Sequence, residues 1–200
     1  MKFAATIFVE GEGDVKFLSD FVQKKFKYLL KNGEEIQQTF GKDSLIKFQT
    51  NFKQSSGRGV TNLVVFDANG SYTKRLAELE LKKVELDIQF ETFLFPNNKD
   101  SGDFETLLEH IINPDNAFIL DCFDNFNQCV VTINPQLFTL NKKTKIHNYI
   151  SVLVSDVALA KERNRDYLNS EHWNLNSPEL TPLYDFLKPY FTEKESDVNV

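Results

Sequence analysis

The residues in this chain best suited to chemistry are carboxylates placed where β-favouring runs end. Thr6-Ile7-Phe8-Val9 runs into Glu10, a turn of Gly11-Glu12-Gly13 follows, and Asp14 opens an amphipathic stretch. Asn62-Leu63-Val64-Val65-Phe66 runs into Asp67, with Asn69 two positions on. Glu105 follows the strand-like run Phe90–Phe95 after a polar loop. In a parallel α/β sheet, the carboxyl end of a strand and the amino end of the next helix open on one crevice. Glu10, Asp14, Asp67, Asn69 and Glu105 are therefore expected to meet at one sheet edge. Carboxylates gathered there repel unless a cation neutralises them. Hard oxygen donors of this kind suit magnesium or manganese. Such a centre acts on phosphate esters by polarising phosphoryl oxygens and orienting a nucleophile. The plainer alternative is a surface turn with Asp14 as a helix N-cap.

The elements that must position these groups can be read in chain order. Ala4 to Val9 predicts a buried strand. From Asp14, the apolar positions Val15, Leu18, Phe21, Val22, Phe26 and Leu29 keep helical spacing until Asn32-Gly33. Glu35 to Phe40 predicts a short strand, and Gly41-Lys42-Asp43-Ser44 turns into a helix carrying Leu45, Phe48 and Phe52. Gln54 to Gly59 reads as a loop by composition. Asn62–Phe66 is the clearest strand, and a charged helix over Ser71–Glu85 turns Leu76 and Leu79 inward. Phe90–Phe95 predicts the fourth strand and Asp103 the start of another helix. The alternation implies a parallel sheet with right-handed crossovers. Beyond Asn113-Pro114 the pattern turns helical: Phe118–Phe126, Ile146–Val157, and a last helix through Phe191, with a frayed tail from Glu193. The expected division is an α/β core over 1–113 and a mostly helical extension over 114–200 packed on it.

Composition narrows the function classes. A net charge of −6 argues against broad electrostatic capture of nucleic acid, so any such binding must rely on a local basic rim. With 19 Phe residues the core is expected to be aromatic, and single phenylalanines are not read as base-stacking platforms. Cys122 and Cys129 lack the spacing of structural zinc. His110, His147 and His172 are scattered, and Trp173 is expected to anchor the last helix. No apolar run reaches membrane-spanning length, and the start of the chain lacks signal-peptide architecture, which makes the cytoplasm the expected compartment.

Two segments carry a family resemblance. IFVEGEGDVKFL resembles the first motif of Toprim domains, a strand followed by Glu-Gly-x-x-Asp, and LVVFDAN resembles their second, a strand ending in Asp-x-Asp. FLFPNNKDSGDFETLLE, KTKIHNYI and HWNLNSPELTPLYDFL are similar to small stand-alone Toprim-like bacterial proteins of unassigned function. The Toprim resemblance covers roughly residues 4 to 112, and the small-family resemblance runs through about Phe191. It implies a Toprim-like, Rossmann-like four-stranded, mostly parallel sheet with flanking helices and a helical C-terminal extension. It also implies roles: Glu10 as general acid or base or as a ligand, Asp14 and Asp67 as metal ligands, and Glu105 as the downstream glutamate of the lysogenisation-defect nucleases. Asn69 stands where the second aspartate of Asp-x-Asp belongs, and its amide oxygen should hold metal more weakly. The ATPase part of those nucleases is missing, since no G-x-x-x-x-G-K-[ST] motif occurs.

The expected function is therefore a Mg2+- or Mn2+-dependent phosphotransfer enzyme, foremost a nuclease cutting DNA or RNA. Lys42, beside a helix start, is a candidate phosphate contact, as are the loop residues Arg58 and Lys99. Asp100 and Asp103 read as loop and capping acids. The competing expectation is a degenerate, non-catalytic Toprim module that binds nucleotide or nucleic acid. A third expectation is a partner subunit of a phage-defence or repair system, with the ATPase supplied in trans.

Overall fold

Runs of β-branched and aromatic residues build a sheet through the middle of the molecule. The computed structural model describes residues 5–191. Its strands are β1 (Ala5–Val9), β2 (Ile36–Gln38), β3 (Thr61–Asp67) and β4 (Glu91–Phe95), in the order β2-β1-β3-β4 and all parallel. The helices are α1 (Glu12–Phe26), α2 (Gln49–Gly57), α3 (Tyr72–Leu86), α4 (Phe104–His110), α5 (Ala117–Ile133), α6 (Lys142–Leu153) and α7 (Thr181–Phe191). A 3-10 segment, Lys42–Phe48, leads into α2. This is an α/β, Rossmann-like architecture with helices on both faces of the sheet.

The two-residue period of a strand sorts its side chains between two cores. Ile7, Val9, Leu63, Val65, Phe93 and Phe95 face the side covered by α1, α4, α6 and α7. Phe8, Val64, Phe66 and Leu94 face the side covered by α2 and α3. Phe8 stacks on Phe52 with ring centroids 3.9 Å apart, which fixes α2 to the sheet. Chain order reverses at β1: the first crossover leads outward to β2, and the next passes back over to β3. The crevice at such a switch point lies between β1 and β3. Val9 pairs with Val65 and Asp67 with Phe95, so Glu10 and Asp67 leave neighbouring strands at nearly the same level.

Residues beyond 113 share the first core, contributing Ile146, Tyr149, Trp173, Leu183 and Leu187. Phe26 stacks on Tyr184 at 5.2 Å and on Phe191 at 5.2 Å, joining α1 to α7. The buried Asp20 carboxylate accepts the Tyr167 backbone N–H at 3.0 Å, tying the segment before α7 to α1. Trp173 is buried, but its ring partners are Tyr149 and Tyr167 and not residues of α7.

Several boundaries differ from the sequence expectation. The first helix stops at Phe26, where Lys27 turns left-handed at φ 58°, and Leu29 is exposed. Gln54–Gly57, expected as loop, continues α2 because its polar residues find tertiary partners: Ser55 Oγ meets Thr6 Oγ1 at 3.1 Å, and Ser56 Oγ accepts from Asn62 Nδ2 at 3.0 Å. The fifth helix runs on to Ile133, and the sixth begins at Lys142 and ends at Leu153. The strand residue Ala4 and the tail from Glu193 lie outside the described residues. Among those described, no helix is long and apolar enough to cross a membrane.

Candidate functional site

Four of the expected carboxylates meet at the carboxyl edge of the sheet. β1 delivers Glu10, the first turn of α1 delivers Asp14, β3 delivers Asp67, and the first turn of α4 delivers Glu105. Each is raised from its ordinary value, and burial is the largest cause in every case. Mutual repulsion adds to it. Asp67 is pushed up to about 7 by burial and then by the negative charges of Glu10, Glu105 and Asp103. Asp14, 8% exposed, is held well above its usual value by burial, then by Asp67, Glu10 and Glu105.

Local backbone chemistry explains how each group is held. Gly11, not Asp14, is the N-cap of α1; Asp14 stands at N3, and its Oδ2 accepts the Gly11 N–H at 2.7 Å. The N-cap role of the plainer alternative is thus replaced by the reciprocal half of a capping box. Asp67 Oδ1 accepts the Phe104 N–H, the first amide of α4, at 2.8 Å. These bonds engage one oxygen each of Asp14 and Asp67 and leave the other for a further partner. Asp103 caps α4 through Thr106, the role expected for it.

Arg75, which the sequence reading does not single out, pairs with Glu10 Oε1 and donates from Nε to the Asp67 carbonyl at 3.2 Å. Its guanidinium lies 5.6 Å from the Phe66 ring centroid. One buried cation thus joins the ends of β1 and β3 and partly offsets the desolvation of Glu10. A signal for it exists: Arg75 lies one turn before Leu79, on the inward face of a helix that should be apolar there. Glu162, in a 3-10 turn over Glu162–Asn164, also escapes the sequence reading, and no periodicity marks it. It packs on α1 so closely that a Cβ on Gly13 would stand 3.4 Å from its carboxylate.

The remaining candidates divide. Lys42 is at the rim, where its charge acts on Glu10 while it pairs with Glu78 at 3.7 Å. Lys99 is exposed on the loop between β4 and α4, at the same edge. Arg58 lies just before β3, at the opposite, amino edge of the sheet, so the structure does not bring it to the group. Asn69 is exposed and lines a cavity with Ser71, Lys74, Arg75 and Glu78, on the α3 side of the carboxylates. Its φ of 53° is left-handed, a conformation Asn tolerates better than most residues. Its backbone pairs with Gly102, whose φ is 148° and whose missing Cβ would stand 3.0 Å from Pro96.

Among the described residues, no group of three or more His, Cys, Asp or Glu already stands in coordinating positions. The donor chemistry still fits a hard divalent ion. The group is all oxygen, largely buried, and carries more negative charge than Arg75 and Lys42 compensate. A bound cation of this class would be held by Asp14 and Asp67, with Glu10 and Glu105 beside them.

Fold and site together define an open α/β protein whose carboxylates collect at the topological switch point. A family model described as a protein of unknown function (DUF3226) matches residues 4–192, and the chain belongs to that family. No curated protein and no solved structure matches it.

Proposed function

We propose that the protein is a metal-dependent phosphotransfer enzyme, most simply a nuclease that hydrolyses phosphodiester bonds in DNA or RNA. The observation that carries this reading is the convergence of Glu10, Asp14, Asp67 and Glu105 on one edge, each with a raised proton affinity. A structural ion pair would bring matched charges; this cluster brings a surplus of one sign. Its likeness to the two Toprim motifs adds support, and magnesium or manganese is the cofactor the donors favour.

When bound, a divalent ion supplies neutralisation of the phosphoryl oxygens and polarisation of a water molecule. The chain's own residues do the rest. Asp14 and Asp67 provide the fixed negative charge that retains the cation. Glu10, raised by burial and oriented by Arg75, is placed to take a proton from the attacking water. Arg75 orients Glu10 and keeps β1 and β3 in register at the site. Lys42 and Lys99 contribute positive charge at the rim.

Two observations favour a second reading, a non-catalytic module that binds nucleotide or nucleic acid as a partner subunit. Glu10 is already paired with Arg75, and Asn69 is exposed, outside the carboxylate group. The test is to incubate purified protein with labelled single- and double-stranded DNA and RNA plus magnesium or manganese. Cleavage that disappears with chelator and in Asp67→Ala supports the enzyme. Binding without cleavage at any metal concentration supports the module.

A further inference from the structure

A cavity of about 630 Å³ opens beside the amino end of α1, between α6 and the turn over residues 161–165. Four cations line it, Lys143, Lys161, Arg163 and Arg165, together with Thr144, His147 and two acids, Glu12 and Glu162. The enrichment is local, since the whole chain carries a net charge of −6. Lys143 is held by Glu162 at 2.7 Å, and the same glutamate adds its charge to Glu105. The cavity and the carboxylate cluster are therefore neighbours sharing Glu162.

Arg165 is the informative residue. It is 2% exposed, yet among the described residues no carboxylate lies within ion-pair distance of it. Its Nε donates to the Ala160 carbonyl at 3.1 Å, and it neighbours the buried Tyr167 hydroxyl. A buried guanidinium without a counter-ion is costly, and such a site is completed by an anion. The planar fork suits a phosphate better than a single-point anion. Lys161 and Arg163 stand exposed at the mouth, also without ion pairs among the described residues.

We propose that this cavity is a phosphate-binding subsite that seats a backbone phosphate of a nucleic-acid strand, with Arg165 as its anchor and Lys161 and Arg163 as its mouth. The choice of strand over other phosphates rests on the phosphotransfer reading of the adjoining carboxylates; the phosphate site itself does not. The helical extension would then position substrate while the sheet edge performs chemistry. It would also allow an acidic protein to hold a polyanion, because the cations are concentrated at one mouth.

The test is binding in chelator, where metal-dependent chemistry is silent. Anisotropy of a labelled single-stranded oligodeoxynucleotide is followed against salt, with inorganic phosphate as competitor. Replacing both exposed cations, in Lys161→Ala with Arg163→Ala, should weaken binding about tenfold at low salt and reduce the slope of log affinity against log salt by about 1.4, roughly 0.7 per lost cation. Arg165→Met should remove competition by inorganic phosphate; if it does not fold, the exposed pair decides alone. Unchanged affinity and slope in the double variant overturns the subsite, and phosphate binding with no oligonucleotide binding overturns the nucleic-acid strand as its occupant. Loss of metal-dependent cleavage with this binding intact would count against the carboxylate reading and leave the subsite standing.

Discussion

Asp67→Asn should make the metal-free protein more stable at neutral pH. The native carboxyl is raised from 3.8 to about 7, so the folded state holds its proton more tightly than the unfolded chain does. The stability this proton provides is complete below about pH 4 and is lost as pH rises towards 7. At ~1.4 kcal/mol for each tenfold change in proton affinity, the full loss is roughly 4 kcal/mol. Coupling to Glu10 and Asp14 spreads the titration over the group, so about 2 kcal/mol is expected from the single substitution. The amide keeps an oxygen for the Phe104 N–H, so the α4 contact survives. Urea unfolding in chelator is the assay. With a slope of about 2 kcal/mol/M, the Asp67→Asn variant should move the midpoint up by about 1 M at pH 8 and by little at pH 4. Saturating magnesium should reverse the order, because only the native carboxylate gains from the ion. Parallel stability profiles for the two proteins between pH 4 and 8 would refute the repulsion on which the site is built.

Arg75→Met should destabilise by about 3 kcal/mol at neutral pH, since it leaves Glu10 in a desolvated position without its cation, and the loss should shrink as the pH falls and Glu10 takes up a proton; urea unfolding at a neutral and an acidic pH reads it. Gly102→Ala should lower the melting temperature by several degrees, on the order of 2 kcal/mol, because its φ of 148° and the 3.0 Å approach to Pro96 leave no room for a methyl group. Asn69→Asp should change manganese affinity less than threefold if the exposed side chain stays with the α3 cavity, where a buried second ligand would give about tenfold; calorimetric titration separates the two.

The strands are legible because continuous runs such as Asn62–Phe66 have no other way to bury both faces. The switch-point logic then carries Glu10 and Asp67 to one edge without further information. Asp14 reaches its expected place but is not the N-cap of the plainer alternative, because an N3 carboxylate reaching back to Gly11 and an N-cap look alike in sequence. Gln54–Gly57 reads as loop since Ser and Gly weaken helices locally; Thr6 and Asn62, distant in sequence, supply the partners that keep it helical. Arg58 falls at the wrong edge because a loop residue's position depends on whether it precedes or follows a strand. Arg75 escapes notice because charged residues fill nearly half of its helix. Residues 154–180 are opaque: their 3-10 turns have no period, and their order depends on single contacts such as Asp20 with the Tyr167 amide.

The central claim is that the sheet-edge carboxylates form one divalent-cation site. Calorimetric titration of manganese into the native protein, Asp14→Asn and Asp67→Asn tests it most directly. The account predicts saturable binding by the native chain, accompanied by proton release near pH 7 because Asp67 must deprotonate to bind, and at least tenfold weaker binding in each variant. Equal manganese affinity in all three proteins, or no saturable binding by the native one, would contradict it.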